Sequence, residues 1–202
     1  MILADHTRDD TIAGMARRLL EAAPDRFDLV GQAMGGFVAF EVLRQAPGRV
    51  RRLALLSTLA PDDGPAQTER RMGYIRLVED GKFDAVVEER IPILVHPARR
   101  TDQPLLDTVR QMAAATGAET FLHQQRAIMS RADSRPGLPN ISCPTLVIWG
   151  RQDGITTEAH QAEIVGGVPG ARLEVIEDCG HLATLERPET VARRLADWFG
   201  GE

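Results

Sequence analysis

This 202-residue sequence predicts an α/β fold: a mostly parallel sheet flanked by helices, with a helical insertion between two of the strands. Three observations carry the prediction. Short apolar strands alternate with amphipathic helices over residues 1–60, and the same alternation resumes near residue 144. Leu53–Leu56 and Thr145–Trp149 are continuous apolar runs, as expected of strands buried on both faces of a parallel sheet. Residues 61–140 hold helical patterns and no convincing strand pair.

Met1–Ala4 is a short apolar run that reads as a first strand. Asp9-Asp10-Thr11 offers a helix start. Ile12, Met15, Ala16 and Leu19 then recur at helical spacing, and Pro24 closes the segment. Phe27–Val30 is the next strand. Met34–Ala46 is apolar nearly all round, which marks a buried helix, and Pro47-Gly48 ends it. The insertion shows helical periodicity at Met72–Glu79, Phe83–Glu89, Leu105–Ala115 and Glu119–Ser130. Beyond it, Cys143-Pro144 introduces the strand Thr145–Trp149. Residues 157–165 are helical and Leu173–Ile176 is a strand. Pro188 opens a last helix with Val191, Leu195, Trp198 and Phe199 on its apolar face. The organisation is a core of residues 1–60 and 141–202 with a helical cap or lid at 61–140.

Composition narrows the function classes. A hydrophobic fraction of 43% and a charged fraction of 26% suit a globular chain that buries a core without disulfide staples. The net charge is −5, and Lys82 is the sole lysine among scattered arginines, so no nucleic-acid footprint is expected. No apolar run reaches the roughly 20 residues of a membrane span, and the N-terminus lacks a secretory pattern. Two cysteines, Cys143 and Cys179, make no disulfide framework, so a cytoplasmic location is expected. With Lys82 in Gly81-Lys82-Phe83, no phosphate-binding P-loop is present, and Gly31–Gly36 is not a dinucleotide fingerprint. His6, His96, His123 and His160 have no metal-like spacing, so neither metal nor cofactor is expected.

The most informative stretch is Gly31-Gln32-Ala33-Met34-Gly35-Gly36, between a strand and a helix. Small flanking residues there permit a sharp bend whose middle residue has a strained backbone, and the N–H of Met34 can point toward an oxyanion. Two further loops follow strands: Trp149-Gly150-Arg151-Gln152-Asp153 and Asp178-Cys179-Gly180-His181. In this order the three motifs resemble those of the α/β-hydrolase fold family, whose nucleophile elbow reads Gly-x-Ser-x-Gly-Gly. The resemblance spans residues 1–199 and implies esterase- or lactonase-like chemistry on a small acyl ester, lactone or thioester. It puts Ala33 at the nucleophile position, Asp153 as the acid that orients the imidazole, His181 as general base and then acid, and Met34 as an oxyanion donor.

Two departures qualify that implication. A methyl group has neither proton to lose nor lone pair to attack with, and loss of a triad nucleophile costs on the order of 10⁶ in turnover. The chain is therefore expected to be inactive as written. Alanine here fits a substitution made to trap a ligand, a natural loss of catalysis, or strand–helix packing without chemistry. A non-catalytic binding member of the fold and a decayed hydrolase fragment are the rival functions. Secondly, the family's N-terminal strands, one of which supplies a second oxyanion N–H, have no counterpart before Met1. A fragment or late start is expected, with an exposed sheet edge that a second copy could pair with.

Asp178, three residues from His181, competes with Asp153, and Asp62 and Asp63 are further acid positions; the resemblance favours Asp153. Cys179 is expected to pack inward. His123 and Gln124 are assigned to a solvated helix face, and Met72, Met112 and Met129 to packing between the insertion and the core.

Overall fold

The computed structural model describes residues 1–201. Four parallel strands, β1 (Phe27–Gln32), β2 (Val50–Leu56), β3 (Thr145–Gly150) and β4 (Arg172–Ile176), lie side by side in chain order. The register matches Gln32 with Leu56, Leu56 with Ile148, and Gly150 with Ile176. All four strands thus end at the same edge, and the loops that follow them open together there. In an open parallel sheet this is the end where ligands bind.

Alternation along β2 builds two cores. Leu53 and Leu55 face one layer, where they meet Met15 of α1 (Ile12–Ala22), Phe37, Val38 and Val42 of α2 (Met34–Gln45) and Ile164 of α6 (Glu158–Gly167). Ala54 and Leu56 face the other, against Ala183 of α7 (Ala183–Glu186) and Val191 of α8 (Pro188–Gly200). The Thr11 hydroxyl caps α1 by accepting from the Gly14 N–H at 3.1 Å.

Between β2 and β3 stand α3 (Pro65–Glu79), α4 (Phe83–Leu94) and α5 (Gln103–Met129). The two helical patterns expected at 105–115 and 119–130 are two helical stretches within α5, separated by a kink at Gly117, whose non-helical φ of 78° and ψ of 163° suit glycine. These helices have small cores of their own, one of Ile91, Leu105 and Val109 and one of Tyr74, Val86 and Phe121. A buried ion cluster ties them down. The Asp63 carboxylate meets Arg71 at 2.5 Å and Arg131 at 2.8 Å, and the Arg131 guanidinium lies 4.4 Å from the ring centroid of Phe37 on α2.

Two expectations fail. Met1–Ala4 belongs to no strand, and Ile2 and Leu3 are exposed at 59% and 83%. An apolar run extends as a strand only with a hydrogen-bonding neighbour, and none flanks it. β1 pairs only with β2, so its outer edge is open and Val30 is exposed. Met72 and Met112 are exposed rather than packed against the core. Among the described residues no helix is long and apolar enough to cross a membrane.

Candidate active site

The bend after β1 is tight because its neighbours leave no room for side chains. A Cβ on Gly31 would strike the Gly35 carbonyl, and one on Gly36 would strike the Thr58 side chain; Gly35 itself faces open space. Ala33 sits at the apex with φ 49° and ψ −114°, a conformation that alanine adopts only under strain. Three hydrogen bonds fix it. Its N–H donates to the Leu56 carbonyl at 2.9 Å, and its carbonyl accepts from the Thr58 hydroxyl at 2.9 Å and the Gly36 N–H at 3.0 Å. Met34 is the first residue of α2, where a backbone N–H has no partner within the helix.

Asp153 follows β3. Its side chain is fully shielded, and one oxygen accepts from the N–H groups of Ile155 (2.7 Å) and Thr156 (3.0 Å). The other accepts from the Thr156 hydroxyl at 2.6 Å. Both face the His181 ring, with Nδ1 at 2.9 and 3.0 Å. Burial pushes the Asp153 carboxyl upward. The hydrogen bond and charge of His181, with the Thr156 donors, outweigh it and hold the group below the usual carboxylate range. An ionised carboxylate only accepts hydrogen bonds, so His181 Nδ1 is the donor to Asp153.

His181 is held on three sides. Its N–H donates to the Leu94 carbonyl at 3.1 Å, and its own carbonyl accepts from Gln32 Nε2 at 3.2 Å. Gln32 in turn accepts from the Thr184 hydroxyl at 3.0 Å. The residue preceding Ala33 thereby touches the histidine loop across most of the sequence. Glu186 provides the third hold. Its buried carboxylate accepts from the Gly180 N–H at 2.9 Å and the His96 N–H at 2.7 Å, joining the histidine loop to the end of α4. No local sequence signal marks Glu186, because its partners come from elsewhere in the fold.

The competing residues are engaged otherwise. The carboxylate of Asp63 is taken by two guanidiniums. Asp178 has φ 51° and makes no hydrogen bond to the imidazole among the described residues. Cys179 is fully buried, and burial, with the Glu186 charge nearby, pushes its thiol up to about 12. Gln124, assigned above to a solvated face, instead lines a cavity of about 180 Å³ between α4, α5 and Leu182, together with Met112. That cavity reaches the residue next to His181. A larger hollow of about 450 Å³ lies by Arg44 and Pro47, at the opposite end of α2 from Ala33, and takes no part in the site.

A sequence model of the alpha/beta hydrolase family matches residues 3–194. The chain is 30% identical to the dihydrolipoyllysine-residue acetyltransferase component of the acetoin cleaving system of Cupriavidus necator, over 98% of this chain and 52% of that one. It is 28% identical to a 2-hydroxy-6-oxo-6-phenylhexa-2,4-dienoate hydrolase of Comamonas testosteroni, over 98% of this chain and 72% of that one. Among solved structures it resembles a thermophilic esterase from Thermogutta terrifontis with a TM-score of 0.88 and 29% identity, over 99% and 75% of the two chains. The chain thus spans about half the length of the Cupriavidus relative and about three quarters of the others.

Proposed function

Because the chain belongs to the alpha/beta hydrolase family, we propose that it is a carboxylic ester, lactone or thioester hydrolase scaffold disarmed at its nucleophile position. In this reading Ala33 stands where a serine would attack, Asp153 and His181 form the remaining acid–base pair, and Met34 offers an oxyanion N–H. The helices between β2 and β3 act as the cap over the ligand.

The single observation that carries the reading is the Asp153–His181 pair at 2.9 Å, buried and braced, on the loop touched by the residue before a strained Ala33. Strain at a bend and a shielded carboxylate both cost stability, and they persist where the surroundings over-determine them. The chemistry available to these groups is specific. His181 Nε2 can take a proton and return it to a leaving group, while Asp153 stabilises the imidazolium. The acyl-enzyme cannot form, since the Ala33 methyl supplies no oxygen to bond the carbonyl carbon. An ester-like ligand is bound and not turned over by that route.

Restoring the hydroxyl tests this. Ala33→Ser should gain hydrolysis of short p-nitrophenyl esters by several orders of magnitude, and His181→Ala in that background should remove the gain. A folded Ala33→Ser protein with no added activity would refute a competent, disarmed hydrolase and leave a binding role.

A further inference from the structure

The cavity between α4, α5 and the histidine loop is mostly apolar, walled by Phe83, Val87, Leu94, Phe121 and Leu182. One cation enters that wall. The Arg90 guanidinium packs 5.5 Å from the Phe121 ring centroid, and among the described residues no carboxylate or hydrogen-bond acceptor meets it. Several neighbouring arginines are paired: Arg71 meets Asp63, Arg76 meets Glu69, Arg110 meets Glu88 and Asp107, and Arg126 meets Glu79. Arg90 is the arginine that lines this cavity. Burial disfavours the Arg90 cation most; the Tyr74 hydroxyl favours it, and Arg71 and Arg70 repel it. A half-buried guanidinium among apolar walls is stabilised by an anion that reaches it, and a planar carboxylate matches its fork.

We propose that Arg90 determines the ligand class: the cavity takes an acyl ester bearing a free carboxylate at the far end of a short apolar chain. The carboxylate would meet Arg90 and the chain would lie against Phe83, Phe121 and Leu182. The acyl carbonyl would then lie toward His181, beside the cavity wall. This assignment rests on the ester-ligand reading above for the position of the carbonyl. Gln124 and Thr116, also on the wall, supply neutral hydrogen-bonding groups and no competing charge.

The probes are monomethyl adipate, which carries one carboxylate, and dimethyl adipate, which carries none. Calorimetric titration of the protein as it stands should give tighter binding of the monoester by on the order of 10- to 100-fold, the range of a charge-assisted hydrogen bond. Arg90→Leu should abolish that preference, and Arg90→Gln, which keeps size and polarity if the leucine variant does not fold, should abolish it as well. Arg90→Lys should keep only part of it. Equal binding of the two esters, no binding of either, or a preference that survives Arg90→Gln would overturn the assignment. Ala33→Ser separates this from the hydrolase reading. If that variant hydrolyses charged and neutral p-nitrophenyl esters equally, the hydrolase reading holds and the Arg90 assignment falls. If it hydrolyses neither, while the monoester binds in an Arg90-dependent way, the reverse holds.

Discussion

The backbone at Ala33 yields a stability test that needs no substrate. With φ 49° and ψ −114°, the residue lies where a Cβ is strained by about 1–3 kcal/mol. Replacing Ala33 by glycine removes that strain and costs about 0.5–1 kcal/mol in unfolded-state freedom. The expected net is a gain of about 1 kcal/mol, or a rise in Tm of about 2–4 °C for a chain of this size. Serine at the same place retains the Cβ. Because the backbone is not in the extended conformation of an ordinary helix N-cap, its hydroxyl cannot reach the N–H groups of α2 in the usual way. The expected stability order is therefore glycine above alanine, with serine close to alanine. At an ordinary N-cap serine would lead, glycine would follow and alanine would be far behind. Urea unfolding of the three proteins, with the slope m unchanged between them, measures the order. Serine as the most stable variant, or glycine as less stable than alanine, would refute the strained bend.

Other expectations follow from the braces around His181 and from burial. Glu186→Gln leaves one acceptor oxygen for two N–H donors, so urea unfolding should show a loss of about 1–3 kcal/mol, and an Ala33→Ser background should lose activity with it. The Asp153 carboxyl is held below its ordinary value in the folded chain, so its contribution to stability is present above the unfolded value near pH 4. It is lost as pH falls through the lowered folded value. Thermal melts between about pH 5 and pH 2 should therefore fall less steeply for Asp153→Asn than for the parent; identical slopes would contradict a carboxyl held low by its surroundings. Cys143 and Cys179 are both buried with their thiols pushed up by desolvation. A thiol reagent near pH 8 should label neither in the folded protein and both after denaturation.

The sheet and helices were readable because their signals are local. Continuous apolar runs at 53–56 and 145–149 became strands buried on both faces, and Gly117 divided two helical patterns where the long α5 bends. Met1–Ala4 misled because an apolar run reports a wish for burial, whereas a strand also needs a neighbour to receive its hydrogen bonds. Ala33, Asp153 and His181 were legible for a related reason: each lies in the loop just after a strand, and parallel register brings those loops to one edge. The side chains that brace and tune the site were not. Glu186 accepts from the N–H of His96, just beyond α4, and Arg90 packs on Phe121 with no carboxylate beside it among the described residues. Folding spends Glu88 on Arg110 and turns Arg90 onto Phe121. The loops that carry the candidate site are brought together by strand order, while the pairing of charges on the helices between β2 and β3 is decided only by three-dimensional packing.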